Sequence, residues 1–166
     1  ATGARSRHLP SLPQDGKKII GYREAMTLAT QPKRMVVVGS GAIGVEFAYF
    51  YNAIGTEVTV VEYQDRIVPV EDADVSKQLE KSFKKAGIKV MTSSEVLDVD
   101  TSGKEPMVRV KTKKGEQTIA CDVVLSAAGV VANLENIGLE DVGIVVDQGK
   151  IVVNDFNFLF TESCLI

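Results

Sequence analysis

The sequence contains no tryptophan, one histidine and two cysteines among 166 residues. Cys121 and Cys164 lie far apart without CxxC spacing, which argues against a disulfide framework, a zinc site and a local redox dithiol. His8 follows Arg5-Ser6-Arg7 in a polar lead with no nucleophile nearby in a motif, so it is not read as catalytic. HExxH, GxSxG, GKS/T and paired-carboxylate arrangements are all missing, and neither a catalytic nor a metal-ligating residue is assigned. No apolar run approaches the roughly 20 residues of a membrane span. The N-terminus lacks the apolar segment of a secretory signal, so a cytoplasmic chain without a membrane partner is expected. Basic surplus is missing too: 19 Lys and Arg against 22 Asp and Glu give a net charge of -3, which speaks against nucleic acid as a partner.

What remains is an ordinary globular composition, 45% hydrophobic and 25% charged, long enough to bury a core. Ala1-Thr2-Gly3 carries no initiator Met, and turn formers follow over Ser11-Leu12-Pro13-Gln14-Asp15-Gly16, so the chain reads as starting partway through a larger protein. A short polar helix is expected near Tyr22 to Ala29. Met35-Val36-Val37-Val38 is β-branched without polar alternation, the pattern of a strand covered on both faces in a parallel sheet. A helix is expected from Ala42 to Ile54, with Ile43, Phe47, Phe50 and Ile54 on its apolar face and Gly55 at its end. Val58-Thr59-Val60-Val61 is the next strand, and so short a crossover makes the two parallel.

A second helix is expected after Glu71-Asp72-Ala73-Asp74, burying Val75, Leu79 and Phe83 and ending at Gly87 before a third strand, Ile88-Lys89-Val90-Met91. Its Lys and Glu positions read as a solvated face. Val108, Val110 and Thr112 alternate with Arg109, Lys111 and Lys113 between turn signals, which predicts an antiparallel meander between Glu95 and Leu125. Cys121-Asp122-Val123-Val124-Leu125 returns to a buried strand, followed by the small residues Ser126-Ala127-Ala128-Gly129. The expected fold is α/β: a Rossmann-like doubly wound parallel sheet with an inserted antiparallel β-meander.

The chemistry is concentrated in Gly39-Ser40-Gly41-Ala42-Ile43-Gly44, a GxGxxG set directly after a strand and opening a helix. Gly39 allows the tight turn, Gly41 lets the backbone approach a pyrophosphate and Gly44 lets helix and strand pack closely. The helix start then offers free N–H donors and a positive end. Glu62 closes the second strand 18 residues beyond Gly44, near the spacing at which an acid reaches the adenosine ribose. A carboxylate there repels a 2′-phosphate and favours NAD over NADP; the alternative is a strand-end acid facing water. Glu46 lies about 60° from Ile43 and 40° from Phe50 around the helix, on its apolar side. Either it is a buried acid with a partner or ligand, or it curls to solvent from the boundary.

The run Val36-Val37-Val38-Gly39-Ser40-Gly41-Ala42-Ile43-Gly44-Val45-Glu46-Phe47-Ala48 resembles the NAD fingerprint of the two-dinucleotide flavoprotein disulfide reductases, most closely their lipoamide-oxidising branch. Ala1-Thr2-Gly3 resembles the motif that touches FAD, and Ser126-Ala127-Ala128-Gly129 the motif whose glycine lies beside the nicotinamide. Asn133 to Gly138 and Leu139-Glu140 resemble the sequence that follows in many members. The resemblance implies that Gly39, Ser40, Gly41, Ala42, Ile43 and Gly44 hold the NAD pyrophosphate, Glu62 the ribose and Val96 the adenine edge. Glu46 and Gly129 would flank the nicotinamide, Ile43 would face the flavin, and Thr2 and Gly3 would contact FAD.

The same resemblance implies a protein in which electrons pass from a dithiol through a disulfide and FAD to NAD⁺. The donor would be dihydrolipoamide, or the lipoyl-carrier protein of a 2-oxoacid dehydrogenase complex. It further implies residues 1–22 as the end of an FAD segment and linker, 23–146 as the NAD domain and 147–166 as a returning FAD segment. The disulfide and the His-Glu base of the family fall outside this sequence, so the chain alone is expected to bind NAD(H) without turnover. It is expected to be a monomer where the whole protein is a homodimer. Two stretches depart from the pattern. Gly129 is followed by Val130-Val131-Ala132-Asn133 where Arg-x-Pro-Asn is usual, so the Arg and Pro are missing, and Phe156 to Ile166 does not resemble the FAD-phosphate segment. Other readings are a related flavin reductase such as an NADH oxidase or mercuric reductase, a non-catalytic NADH-sensing module, or an S-adenosylmethionine methyltransferase.

Overall fold

The computed structural model describes residues 2–155. In chain order the elements are β1 (Ala4–Ser6), β2 (Ile19–Ile20), α1 (Tyr22–Ala25), β3 (Arg34–Val38), α2 (Ala42–Ala53), β4 (Glu57–Val61), α3 (Ala73–Ala86) and β5 (Lys89–Met91). They continue with β6 (Glu95–Asp100), β7 (Met107–Thr112), β8 (Gly115–Ala120), β9 (Val123–Ser126), β10 (Val130–Ala132), β11 (Val146–Asp147) and β12 (Lys150–Ile151). Two compact units result among the described residues, one of Ser6–Gly129 and one joining residues 2–5 to residues 130–155.

The larger unit is built on a five-stranded sheet ordered β2-β9-β3-β4-β5, parallel throughout. The valine run of β3 has no polar alternation because both of its faces are covered. Met35 and Val37 join Val58, Val60 and Leu125 under Ala25, Ala48, Tyr51 and Phe83, so α1, α2 and α3 share one face. Val36 and Val38 join Val61 and Val124 on the other face, against Val108, Val110 and Cys121. There the antiparallel meander β6-β7-β8 takes the position that helices hold on the first face. Burying each of these valines contributes on the order of 1.5–3 kcal/mol.

The meander follows its sequence signal. Val108 and Val110 are buried, while Arg109 and Lys111 are exposed and Arg109 pairs with Asp98 across the hairpin. Two expectations need correction, and one strand gives no signal in the sequence. Helix α1 stops at Ala25 rather than running to Ala29; Thr27 N–H bonds back three residues to Glu24 C=O, tightening the chain before Pro32. The buried stripe of α3 is Ser76, Leu79 and Phe83, with Val75 exposed, because Ser76 Oγ donates to Val68 C=O beneath the helix. Ile19 and Ile20 form the edge strand of the sheet, too short for any periodic signal.

In the smaller unit, β10 pairs with β1, and β11 with β12 in a hairpin. Asn133 links its two chain segments, its N–H donating to Gly3 C=O at 3.0 Å and its Nδ2 to Thr2 C=O at 3.1 Å. Arg5 donates to the Glu135 carboxylate at 2.5 and 3.0 Å, holding that acid down at about 2. Cys164 and the stretch Phe156 to Ile166 lie outside the described residues.

Candidate functional site

Strand β3 is bonded to β4 on one side and to β9 on the other, while the chain leaves it toward β4. From β3 the chain steps outward through β4 and β5 and then returns to β9 on the other side of β3, and in open α/β sheets ligands bind outside the carboxyl ends of the strands at such a switch point. The glycine turn follows the carboxyl end of β3. Gly39 has φ +99, and a Cβ there would lie 2.5 Å from Ala127 C=O. A Cβ on Gly44 would lie 2.0 Å from Gly39 C=O. Gly41, at the N-cap of α2, is different: nothing lies within 4 Å of a Cβ built on it. Two glycines are therefore required by the protein's own packing, and the third faces open space.

The helix that follows is electrostatically unmatched. Helix α1 has Glu24 accepting from Gly21 N–H, and α3 begins with Asp72 and Asp74, whereas α2 has neither an acid in its first turn nor a side-chain cap. Its first ladder bond runs from Val45 N–H to Gly41 C=O, which leaves the preceding amides without helical acceptors. Such a start suits an anion. Ala42 is exposed there, and Ile43 is half-buried against the helix-side core.

Glu62 reaches this turn from the end of β4. Only 7% exposed, its Oε2 accepts from Ser40 N–H at 2.8 Å and from Ser40 Oγ–H at 2.6 Å, and its Oε1 accepts from Gln64 N–H at 2.8 Å. Its backbone is fixed by Met91 C=O and Ser94 N–H. Ser40 is fully enclosed, and its C=O accepts from Val68 N–H. Val68 is itself buried at φ +40, a left-handed conformation that costs a β-branched residue about 1–3 kcal/mol and tends to cluster at functional sites. Arg66, the one arginine of this loop, donates to Pro69 C=O.

Of the two readings of Glu46, the structure shows the exposed one. Helix α2 buries Gly44, Ala48 and Tyr51, whereas Glu46, Phe50 and Ile54 are exposed. Gly44 and Ala48 let the helix lie close to the sheet, Tyr51 is buried with them, its OH donating to Ala25 C=O, and Phe50 and Ile54 lie outside that contact. Val96 is half-buried in the meander-side core, paired with Val110 and two residues beyond Ser94. Gly129 is exposed at φ +96; its C=O accepts from Arg7 N–H, and the Arg7 guanidinium comes within 3.9 Å of where a Cβ would be. Thr2 and Gly3 belong to the smaller unit.

Other candidate groups are structural or solvated. Cys121 is fully buried and its thiol is pushed up to about 12 by that burial, so it is an inert core residue. His8 is exposed. Among the described residues no cluster of three or more His, Cys, Asp or Glu could hold a metal ion, and no helix is long and apolar enough to cross a membrane.

The family model described as pyridine nucleotide-disulphide oxidoreductase matches residues 1–158. The chain belongs to the pyridine nucleotide-disulphide oxidoreductase family. Within it, the dihydrolipoyl dehydrogenase of Rhizobium etli is 44% identical over 157 residues, covering 94% of this chain and 33% of that protein. The dihydrolipoyl dehydrogenase of Zymomonas mobilis is 43% identical, covering 94% and 34%. The crystal structure of LpdA from Mycobacterium tuberculosis superposes with a TM-score of 0.78 at 37% identity, covering 89% of this chain and 32% of that one. The chain thus spans about a third of the length of the curated relatives it matches.

Proposed function

We propose that this chain is the NAD(H)-binding part of a dihydrolipoyl dehydrogenase. The observation that carries the reading is the meeting of three features at one turn: the open space over Gly41, the acid-free start of α2, and the Glu62 carboxylate held against Ser40. A diphosphate needs donors and positive potential, and α2, with no acid in its first turn, supplies both through the amides of Gly41, Ala42, Ile43 and Gly44. An unphosphorylated ribose needs an acceptor, and Glu62 supplies a carboxylate whose charge opposes a 2′-phosphate. Bound there, NAD⁺ supplies a two-electron hydride acceptor.

The chain's own residues bind and orient that group. Val96 would border the adenine, Glu46 and Gly129 the nicotinamide, and Ile43 the flavin, while Thr2 and Gly3 would contact FAD. The domain limits at residues 22/23 and 146/147 belong to the same proposal. So does the whole protein's reaction, oxidation of dihydrolipoamide or a lipoyl-carrier protein of a 2-oxoacid dehydrogenase complex with reduction of NAD⁺. A homodimeric whole protein, a monomeric isolated chain and a cytoplasmic setting complete it. The relatives' identity over most of this chain supports these assignments.

The test is titration of the purified chain with NADH and with NADPH, followed by nucleotide fluorescence. Tighter binding of NADH is expected. Binding of neither nucleotide, or preference for NADPH, would overturn the reading.

A further inference from the structure

Ser40 sits between the first two glycines, a position whose backbone alone would serve the turn. Its side chain nevertheless makes the shortest bond in the site, 2.6 Å from Oγ to Glu62 Oε2, and Ser40 is 0% exposed. No water can replace that partner, so hydroxyl and carboxylate satisfy each other. A carboxylate has about four lone-pair positions, and three protein donors occupy Glu62: Ser40 N–H, Ser40 Oγ–H and Gln64 N–H. The flexible acid is thereby fixed before any ligand arrives, at the end of a strand whose next residues, Tyr63, Gln64 and Asp65, are all exposed.

We propose that Ser40 is a positioning residue for dinucleotide selectivity: its hydroxyl holds Glu62 beside the glycine turn, so that NAD(H) is preferred to NADP(H). The inference rests on the NAD(H) reading and deepens it. Preorganisation lowers the ordering cost of the bound acid and keeps its charge where a 2′-phosphate would have to lie. The turn itself does not depend on the hydroxyl. Gly39 N–H still bonds Val61 C=O and Val68 N–H still bonds Ser40 C=O without it.

The experiment is a double-mutant cycle in this chain with Ser40→Ala, Glu62→Gln and the pair, measuring dissociation constants for NADH and NADPH and the thermal midpoint of each variant. A cycle is used because the enclosed Ser40 leaves no room for a larger hydroxyl residue. With Ser40→Ala, NADH is expected to bind about 10- to 100-fold more weakly, the size of a lost bond to a charged group, while NADPH changes less than about two-fold. In the Glu62→Gln background, Ser40→Ala should leave the NADH-to-NADPH ratio unchanged. A selective wild-type chain whose ratio survives Ser40→Ala, or which loses both nucleotides equally, overturns this inference alone. A wild-type chain that binds neither nucleotide or prefers NADPH overturns the NAD(H) reading and this inference together.

Discussion

A side-chain carbon on Gly44 would sit 2.0 Å from the carbonyl oxygen of Gly39, inside any permissible contact. The same construction at Gly41 meets nothing within 4 Å. The two glycines are alike in the motif and opposite in what they protect.

Their alanine variants should therefore separate folding from binding. Gly44→Ala is expected to cost about 1–3 kcal/mol through forced repacking against backbone that cannot swing away, seen as a midpoint lowered by several degrees in thermal unfolding. Gly41→Ala, at φ -66, should melt like wild type yet bind NADH at least about tenfold more weakly, because the methyl occupies the ligand's space. Equal melting of both variants would remove the packing argument, and undiminished binding by Gly41→Ala the ligand argument.

Asp122 gives a pH prediction. Partial burial pushes its carboxyl up, but the amides of Lys33 and Arg34, both donating to Oδ2 at 2.8 Å, and the Arg34 guanidinium pull it down further, so the net shift is downward from 3.8. A carboxyl with a depressed folded-state value stabilises the fold above its unfolded value and ceases to do so as pH falls through the folded one. Asp122→Asn should lower stability by about 1 kcal/mol at neutral pH. The gap to wild type should close as the pH drops below the ordinary carboxylate range. Denaturant melts at pH 7 and at successively lower pH measure this, and a constant gap would refute it.

Cys121 should resist thiol reagents in the native state. Its burial and its thiol value of about 12 leave almost no thiolate at pH 8. Mass spectrometry of the peptide carrying Cys121 should find it unlabelled until denaturant is added. Prompt native labelling would mean that the meander-side core opens readily.

The parts of the fold legible in the sequence were those with a periodic or continuous apolar signal. Met35 to Val38 and Val58 to Val61 announced buried parallel strands, and the alternation about Val108 and Val110 announced the meander. The stripe of α2 is not legible in the sequence because Phe50 and Ile54 carry more hydrophobicity than Gly44 and Ala48, although the helix buries Gly44, Ala48 and Tyr51 instead. For Glu46 the structure selects the second of its two readings, exposure at the boundary. In the site, the glycines and Glu62 were readable from type and spacing. The Ser40–Glu62 bond was not, since a hydroxyl and a carboxylate 22 residues apart leave no pattern, and the left-handed Val68 contradicts the preference of its residue type.

Strand β9 lies second in the parallel sheet, between β2 and β3, yet it follows the whole meander along the chain. Synthesis therefore delivers the middle of the sheet late. Until Val123–Ser126 leave the ribosome, the edge of β3 that they will cover has no partner, and three of its valines, Val36, Val37 and Val38, await their neighbours. A nascent chain stalled before that point presents chaperones with a sticky, half-built edge, and the final four-residue insertion converts it into the interior.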